Sequence, residues 1–114
     1  IMSPGDVVLV KFPFANLETS KKRPALVLNQ ISYGKTQNLL IIAMITSKVD
    51  GVKLHGDVAL KNWEKASLLH PSLVRVSKIA TIDDDIIEKK IGHLSEKDIE
   101  LVKKEIKKIF SWWL

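Results

Sequence analysis

Two short apolar runs, PALVLN at 24–29 and NLLIIAMIT at 38–46, set the tightest limit on how this chain folds. Neither alternates apolar with polar residues, and both are bounded by turn formers. Continuous runs of that length fit strands covered on both faces. GDVVLVKF at 5–12 is rich in β-branched residues and follows Pro4, which predicts another strand. VAL at 58–60 reads as a short strand, and SLVRVSKIATI at 72–82 alternates well enough for a longer one. Between them PFANLETSKKR (13–23), broken by Pro13, and SKVDGVKLHGD (47–57), with two glycines, read as loops, and KNWEKAS as a helical turn. DDDIIEKKI (83–91) predicts a short helix, with acids in its first turn and lysines in its last, as the helix dipole prefers.

The C-terminal segment carries the clearest helix signal. Ser95 suits the N-cap, Asp98 stands three residues on, and Leu94 is placed to staple onto Ile99. Ile99, Val102, Ile106, Ile109, Phe110 and Trp113 recur at helical spacing and define one apolar face. Strands followed by helices at this length predict a mainly β α+β domain over 3–114: a small, strongly bent barrel with short helices, closed by a C-terminal amphipathic helix.

Several function classes are excluded by composition and motif. The 114 residues include no cysteine, which removes disulfides, thiolate metal sites and cysteine nucleophiles and suits a reducing cytoplasm. IMSPGDVVLV lacks the basic and apolar regions of a secretory signal, and no apolar run approaches the ~18–20 residues of a membrane span. His55, His70 and His93 are scattered without ligand spacing, so no metal is expected. GxSxG, P-loop and GxGxxG motifs are missing. Asp83, Asp84 and Asp85 read as helix-start acids rather than magnesium ligands.

The formal charge of +5 suits polyanions, nucleic acid first, although many of the lysines lie on the solvated face of the last helix. What remains is cations beside hydroxyls. Arg23 opens a strand, Thr46 and Ser47 end one, and Arg75 sits inside a strand, where it needs an anionic partner or an edge position. Phe14, Tyr33 and Trp63 lie in loop-like segments near these cations. Guanidinium forks for phosphate and aromatic faces for bases are the components of an RNA groove. Lys21, Lys22 and Lys48 add diffuse attraction.

Taken in order, GDVVLVKFPFANLETSKKRPALVLN, IAMITSK, GDVALKNWEKASLLHPSLVRVSKIATID and IIEKKIGHLSEKDIELV resemble the MazF/PemK (Kid-like) toxins of bacterial toxin–antitoxin systems. The resemblance implies an SH3-like barrel of the CcdB/PemK type and a two-fold homodimer. It also implies a cytoplasmic endoribonuclease that needs no metal or other cofactor. Such an enzyme cleaves single-stranded RNA at short sequences and arrests translation and growth until an antitoxin lays an acidic tail in the RNA groove. On the family's pattern Arg23 is a catalytic arginine, Thr46, with Ser47 beside it, the active-site hydroxyl, and Arg75 a second catalytic arginine. Ser77 falls where the Kid branch carries the carboxylate proposed as general base, and Ala80 replaces a common arginine. A serine hydroxyl has no useful basicity near neutral pH, which leaves His70, Glu18 and Asp50 as substitutes. Two other readings stand beside this one: a catalytically weak or inactive RNA- and antitoxin-binding member, and a CcdB-like gyrase poison suggested by the terminal FSWWL.

Overall fold

The computed structural model describes residues 1–11 and 22–114. Six strands form one antiparallel sheet: β1 (Asp6–Lys11), β2 (Lys22–Tyr33), β3 (Gln37–Thr46), β4 (Asp57–Ala59), β5 (Leu73–Asp83) and β6 (Ile87–His93). Their order is β4-β5-β3-β2-β1-β6. The single α-helix among the described residues, α1 (Glu96–Ile109), follows the last strand. The mainly β architecture with a C-terminal helix is as the sequence predicts.

The uninterrupted apolar runs are explained by two cores on the two faces of the sheet. Val7, Leu26, Ala43, Ile45, Val74 and Val76 pack beneath α1 with Val102 and Leu94. The alternate residues Val8, Val10, Ala25, Val27, Leu40 and Ile42 form the second core with Ala80 and Ile82. Because side chains alternate along a strand, burying both faces demands apolar residues at every position.

One element differs from the expectation. The predicted helix at 83–91 is a three-residue 3-10 turn, Asp84–Ile86, leading directly into β6. A nine-residue helix is marginal in isolation. Pairing with β1 supplies a ladder instead, Val10 to Ile87, Leu9 to Lys89 and Val8 to Lys90, with two register shifts. Tertiary pairing overrides the local charge pattern, and it delivers Lys89 to the sheet end where the charged residues of β2 begin.

The helix start is also reworked by tertiary contacts. Ser95 Oγ accepts from the Asp98 N–H at 3.2 Å, as an N-cap should. The fully buried Asp98 carboxylate, however, accepts from the Lys61 and Asn62 N–H groups at 2.8 Å each. Ser95 Oγ in turn donates to Asn62 Oδ1 at 2.9 Å. The cap therefore doubles as the anchor for the 3-10 turn Trp63–Ala66, where Trp63 packs on the first core. Ile99, Ile106 and Ile109 pack on that core as the periodicity predicts, whereas Phe110 and Trp113, both exposed, do not. Regular helix ends at Ile109, and a 3-10 turn over Ser111–Trp113 changes the side-chain direction. Trp112 and Trp113 are exposed, edge to face, with ring centroids 4.6 Å apart.

Candidate active site

The β2–β3 ladder starts at Ala25 opposite Met44 and runs Leu26–Ala43, Val27–Ile42. Carrying that register two residues outward sets Arg23 across from Thr46, on the same face. Arg23 itself pairs with Val10 of β1, and Thr46 with Leu73 of β5. Arg-Pro and Ile-Thr-Ser, far apart in sequence, thus meet at one end of the sheet. The proline after Arg23 favours an extended backbone there, and the buried Ala25–Val27 stretch holds that end of the strand in place.

A cavity of about 420 Å³ opens at this end. Leu9, Pro24, Ile45, Leu68 and Ile91 supply apolar lining. The polar lining consists of Lys22, Arg23 and Lys89, the hydroxyl residues Thr46, Ser47, Ser67 and Ser72, and His70. Among the described residues no carboxylate lines it, so fixed charge in the wall is wholly positive. Side chains alternate along a strand, so Leu9, Lys22, Pro24, Ile45 and Lys89 line the cavity from the face of the first core, while Arg23 and Thr46 carry their side chains on the face of the second, where a guanidinium fork can match phosphate oxygens in pairs.

The Thr46 side chain is buried, and its Oγ1 accepts the Lys48 N–H at 3.1 Å. That bond uses the oxygen as acceptor and leaves the hydroxyl proton for a ligand. Arg23 is half-buried, with no carboxylate partner among the described residues. Lys22, at the exposed rim, pairs with Glu88 of β6. Lys48 is exposed just past β3.

The other sequence candidates lie elsewhere. Arg75 shares the Thr46 face of the sheet, since it pairs with Met44. Its guanidinium nevertheless turns into the 50–57 segment, with Nη2 donating to the Val52 carbonyl at 2.6 Å and Nε 3.4 Å from Asp57 Oδ1. The anionic partner that a strand arginine requires is Asp57, its direct neighbour on β4. Ser77 is exposed on a bulge where three residues of β5 have no partner on β3. Tyr33 ends β2 ten residues from Arg23, about 33 Å along the strand at ~3.3 Å per residue, and its hydroxyl donates to Asp83 at 3.0 Å. Phe14, Lys21 and Glu18 lie outside the described residues, and Asp50 is exposed away from the cavity.

Sequence reasoning missed Lys89, Ser67 and Ser72. Lys89, in the last turn of the helix expected at 83–91, carries no local signal, because its place comes from pairing with Leu9. Ser67 ends the 3-10 turn in the left-handed conformation, with φ 63°, and the segment behind it forms the cavity wall. That wall is held where Gly92 of β6 passes under Ala66, so close that an added Cβ would stand 2.3 Å from the Ala66 carbonyl oxygen. No three His, Asp or Glu side chains among the described residues converge on a common metal position.

Residues 3–110 match the family of PemK-like, MazF-like toxins of type II toxin–antitoxin systems. The chain belongs to that family. Endoribonuclease MazF of Staphylococcus saprophyticus is 26% identical over 107 residues, spanning 93% of this chain and 88% of that protein. Among solved structures, an endoribonuclease in complex with its cognate antitoxin from a mycobacterial species superposes with a TM-score of 0.69 at 13% identity, covering 97% of this chain and 96% of that one. Mycobacterium tuberculosis toxin MazF-mt6 superposes with a TM-score of 0.67 at 20% identity, covering 93% and 96%. At those identities the superpositions establish the fold, a PemK/MazF fold across nearly the whole chain. The cavity of this PemK/MazF protein lies where its Arg-Pro and Ile-Thr-Ser segments meet.

Proposed function

We propose that this PemK/MazF protein, acting as one domain over 3–114, is an endoribonuclease toxin. It cuts single-stranded RNA at short sequences without a metal ion, and so arrests translation and growth. The observation that carries the proposal is the register that sets Arg23 across from Thr46 on one face at the end of the sheet, with no carboxylate partner for Arg23 among the described residues. Cleavage without metal requires a base for the 2′-hydroxyl, a cation for the charge that builds on phosphorus, and protonation of the leaving 5′-oxygen. Arg23 supplies the cation, gripping two phosphate oxygens. Thr46 donates its free hydroxyl proton to the scissile phosphate, with Ser47 beside it.

Lys22, Lys48 and Lys89 draw the strand in, as do Lys21 and, by stacking, Phe14, both assigned from sequence alone. Arg75 acts from the same sheet face, holding the 50–57 segment through Val52 and Asp57. The cavity wall suits an acidic antitoxin tail, supported by the antitoxin-bound relative, and the working unit is a cytoplasmic homodimer. The test is incubation of single-stranded RNA with the protein in EDTA. Cleavage that persists supports the reading, and cleavage that vanishes on chelation sinks the metal-free mechanism. Tight RNA binding with no product across varied sequences supports the binding-only alternative.

A further inference from the structure

Building on the nuclease reading, we propose that Asp57 is a positioning residue of the RNA site. It holds the Arg75 guanidinium away from Thr46 in the free protein and yields it to an RNA phosphate on binding. The strand register sets the parts side by side. Met44 pairs with Arg75 and Thr46 with Leu73, so Arg75 is the diagonal neighbour of Thr46. Diagonal neighbours stand about 7–8 Å apart, within reach of a long side chain. Both residues carry their side chains on the face of the second core, as Arg23 does. Arg75 is also directly opposite Asp57 on β4, and its guanidinium lies on that side.

Asp57 is tethered where it stands. The Val76 N–H donates to the Gly56 carbonyl at 3.0 Å, and Asp57 Oδ2 accepts the Leu54 N–H at 2.8 Å. The other oxygen, Oδ1, stands 3.4 Å from Arg75 Nε, with the Asp57 and Arg75 side chains only 8% and 15% exposed. Neither Oδ1 nor Nε has a hydrogen-bond partner among the described residues. The attraction within a buried ion pair offsets its desolvation only where hydrogen bonds complete the pair. Arg75 is thus held by charge at Nε and by one hydrogen bond, from Nη2 to the carbonyl of the exposed Val52.

A phosphate beside Thr46 offers the guanidinium fork two oxygens in parallel, a more complete partner than Asp57. The exchange has one cost: it leaves the buried Asp57 charge without its cation. Asparagine at 57 carries no charge to strand and keeps an acceptor for the Leu54 N–H. Removing this acid therefore strengthens RNA binding through Arg75, whereas a purely structural role for the pair predicts a loosened site and weaker binding.

The experiment identifies an RNA oligonucleotide that the parent cleaves and measures binding of its uncleavable 2′-O-methyl form. The proteins compared are the parent, Asp57→Asn, Arg75→Ala and the double variant. Expected is binding about three- to fivefold tighter for Asp57→Asn, with no gain from the same change in the Arg75→Ala background. Binding by Asp57→Asn equal to or weaker than the parent overturns the inference alone, as does an equal gain in the Arg75→Ala background, which marks a general charge effect. A parent that cleaves no RNA overturns the nuclease reading and the inference together. If Asp57→Asn does not fold, the Arg75 Nε–H resonance of the parent decides: a shift on adding the oligonucleotide supports the exchange, and a fixed position overturns it.

Discussion

The two ends of the sheet are built from the same strands and are chemically opposite. At one end β2 begins and β3 finishes, bringing Lys22, Arg23, Thr46 and, from β6, Lys89 around a cavity. At the other end Tyr33, Asn38 and the Asp83–Asp85 acids meet. The far-end groups spend themselves on one another: Tyr33 donates to Asp83, Asn38 to Asp84 at 3.0 Å, and Ser32 Oγ to Asn38 at 2.8 Å. Hydrogen bonding to Asp83 raises the Tyr33 phenol above its ordinary pKa. At the cavity end Arg23 and the Thr46 proton have no such partner among the described residues. Committed polar groups hold the fold, whereas uncommitted ones, carried on a rigid strand end, are available to a ligand.

The largest expected contrast sets Arg23→Ala against Tyr33→Phe. Removing this arginine should cost about 10²–10³ in kcat/KM, or ~2.7–4 kcal/mol, by analogy with an oxyanion-hole donor. Tyr33→Phe, at the other end, should leave cleavage unchanged in the same assay. Equal losses in both variants would erase the distinction between the two ends.

Next in size is Gly92→Ala, which tests whether the cavity wall depends on the close approach of β6 to the 3-10 turn. The new methyl meets backbone rather than a mobile side chain. Overpacking of this kind should destabilise by about 1–3 kcal/mol, measured by urea denaturation, and cleavage should weaken in protein that remains folded. Unchanged stability would mean that the turn yields freely.

The smallest effect concerns a committed group on β1, Asp6, paired with Lys90 at 3.2 Å and His93 at 2.8 Å. Burial alone raises its pKa, but the Ser3 N–H, His93 and Lys90 outweigh burial and hold it below the ordinary value. A carboxylate depressed in the folded state stabilises above its unfolded pKa of ~3.9, and that contribution is lost as pH falls through the folded value. Asp6→Asn should therefore flatten the loss of stability below about pH 4 in thermal melts at graded pH. Persistence of the full acid dependence would assign it to other carboxylates.

The strands and the final helix were readable because their signals are local: unbroken apolar runs for strands buried on both faces, and a capped apolar stripe for α1. The order of motifs also marked the family, and Arg23 with Thr46 as a pair. Three outcomes needed the fold. The residues from Ile87 to His93 became a strand because β1 had an open edge to fill, and Asp98 turned from a capping partner into a tie to residues 61 and 62. Arg75 found Asp57 across β4, a partner no spacing announces. The sequence by itself determined what each segment can bury and which chemistry it carries. Tertiary pairing decided which groups are consumed by one another and which, His70 and Lys89 among them, are left facing the same cavity. Local propensity is a property of a few neighbouring residues, whereas a site is set by register between strands that are distant in the chain.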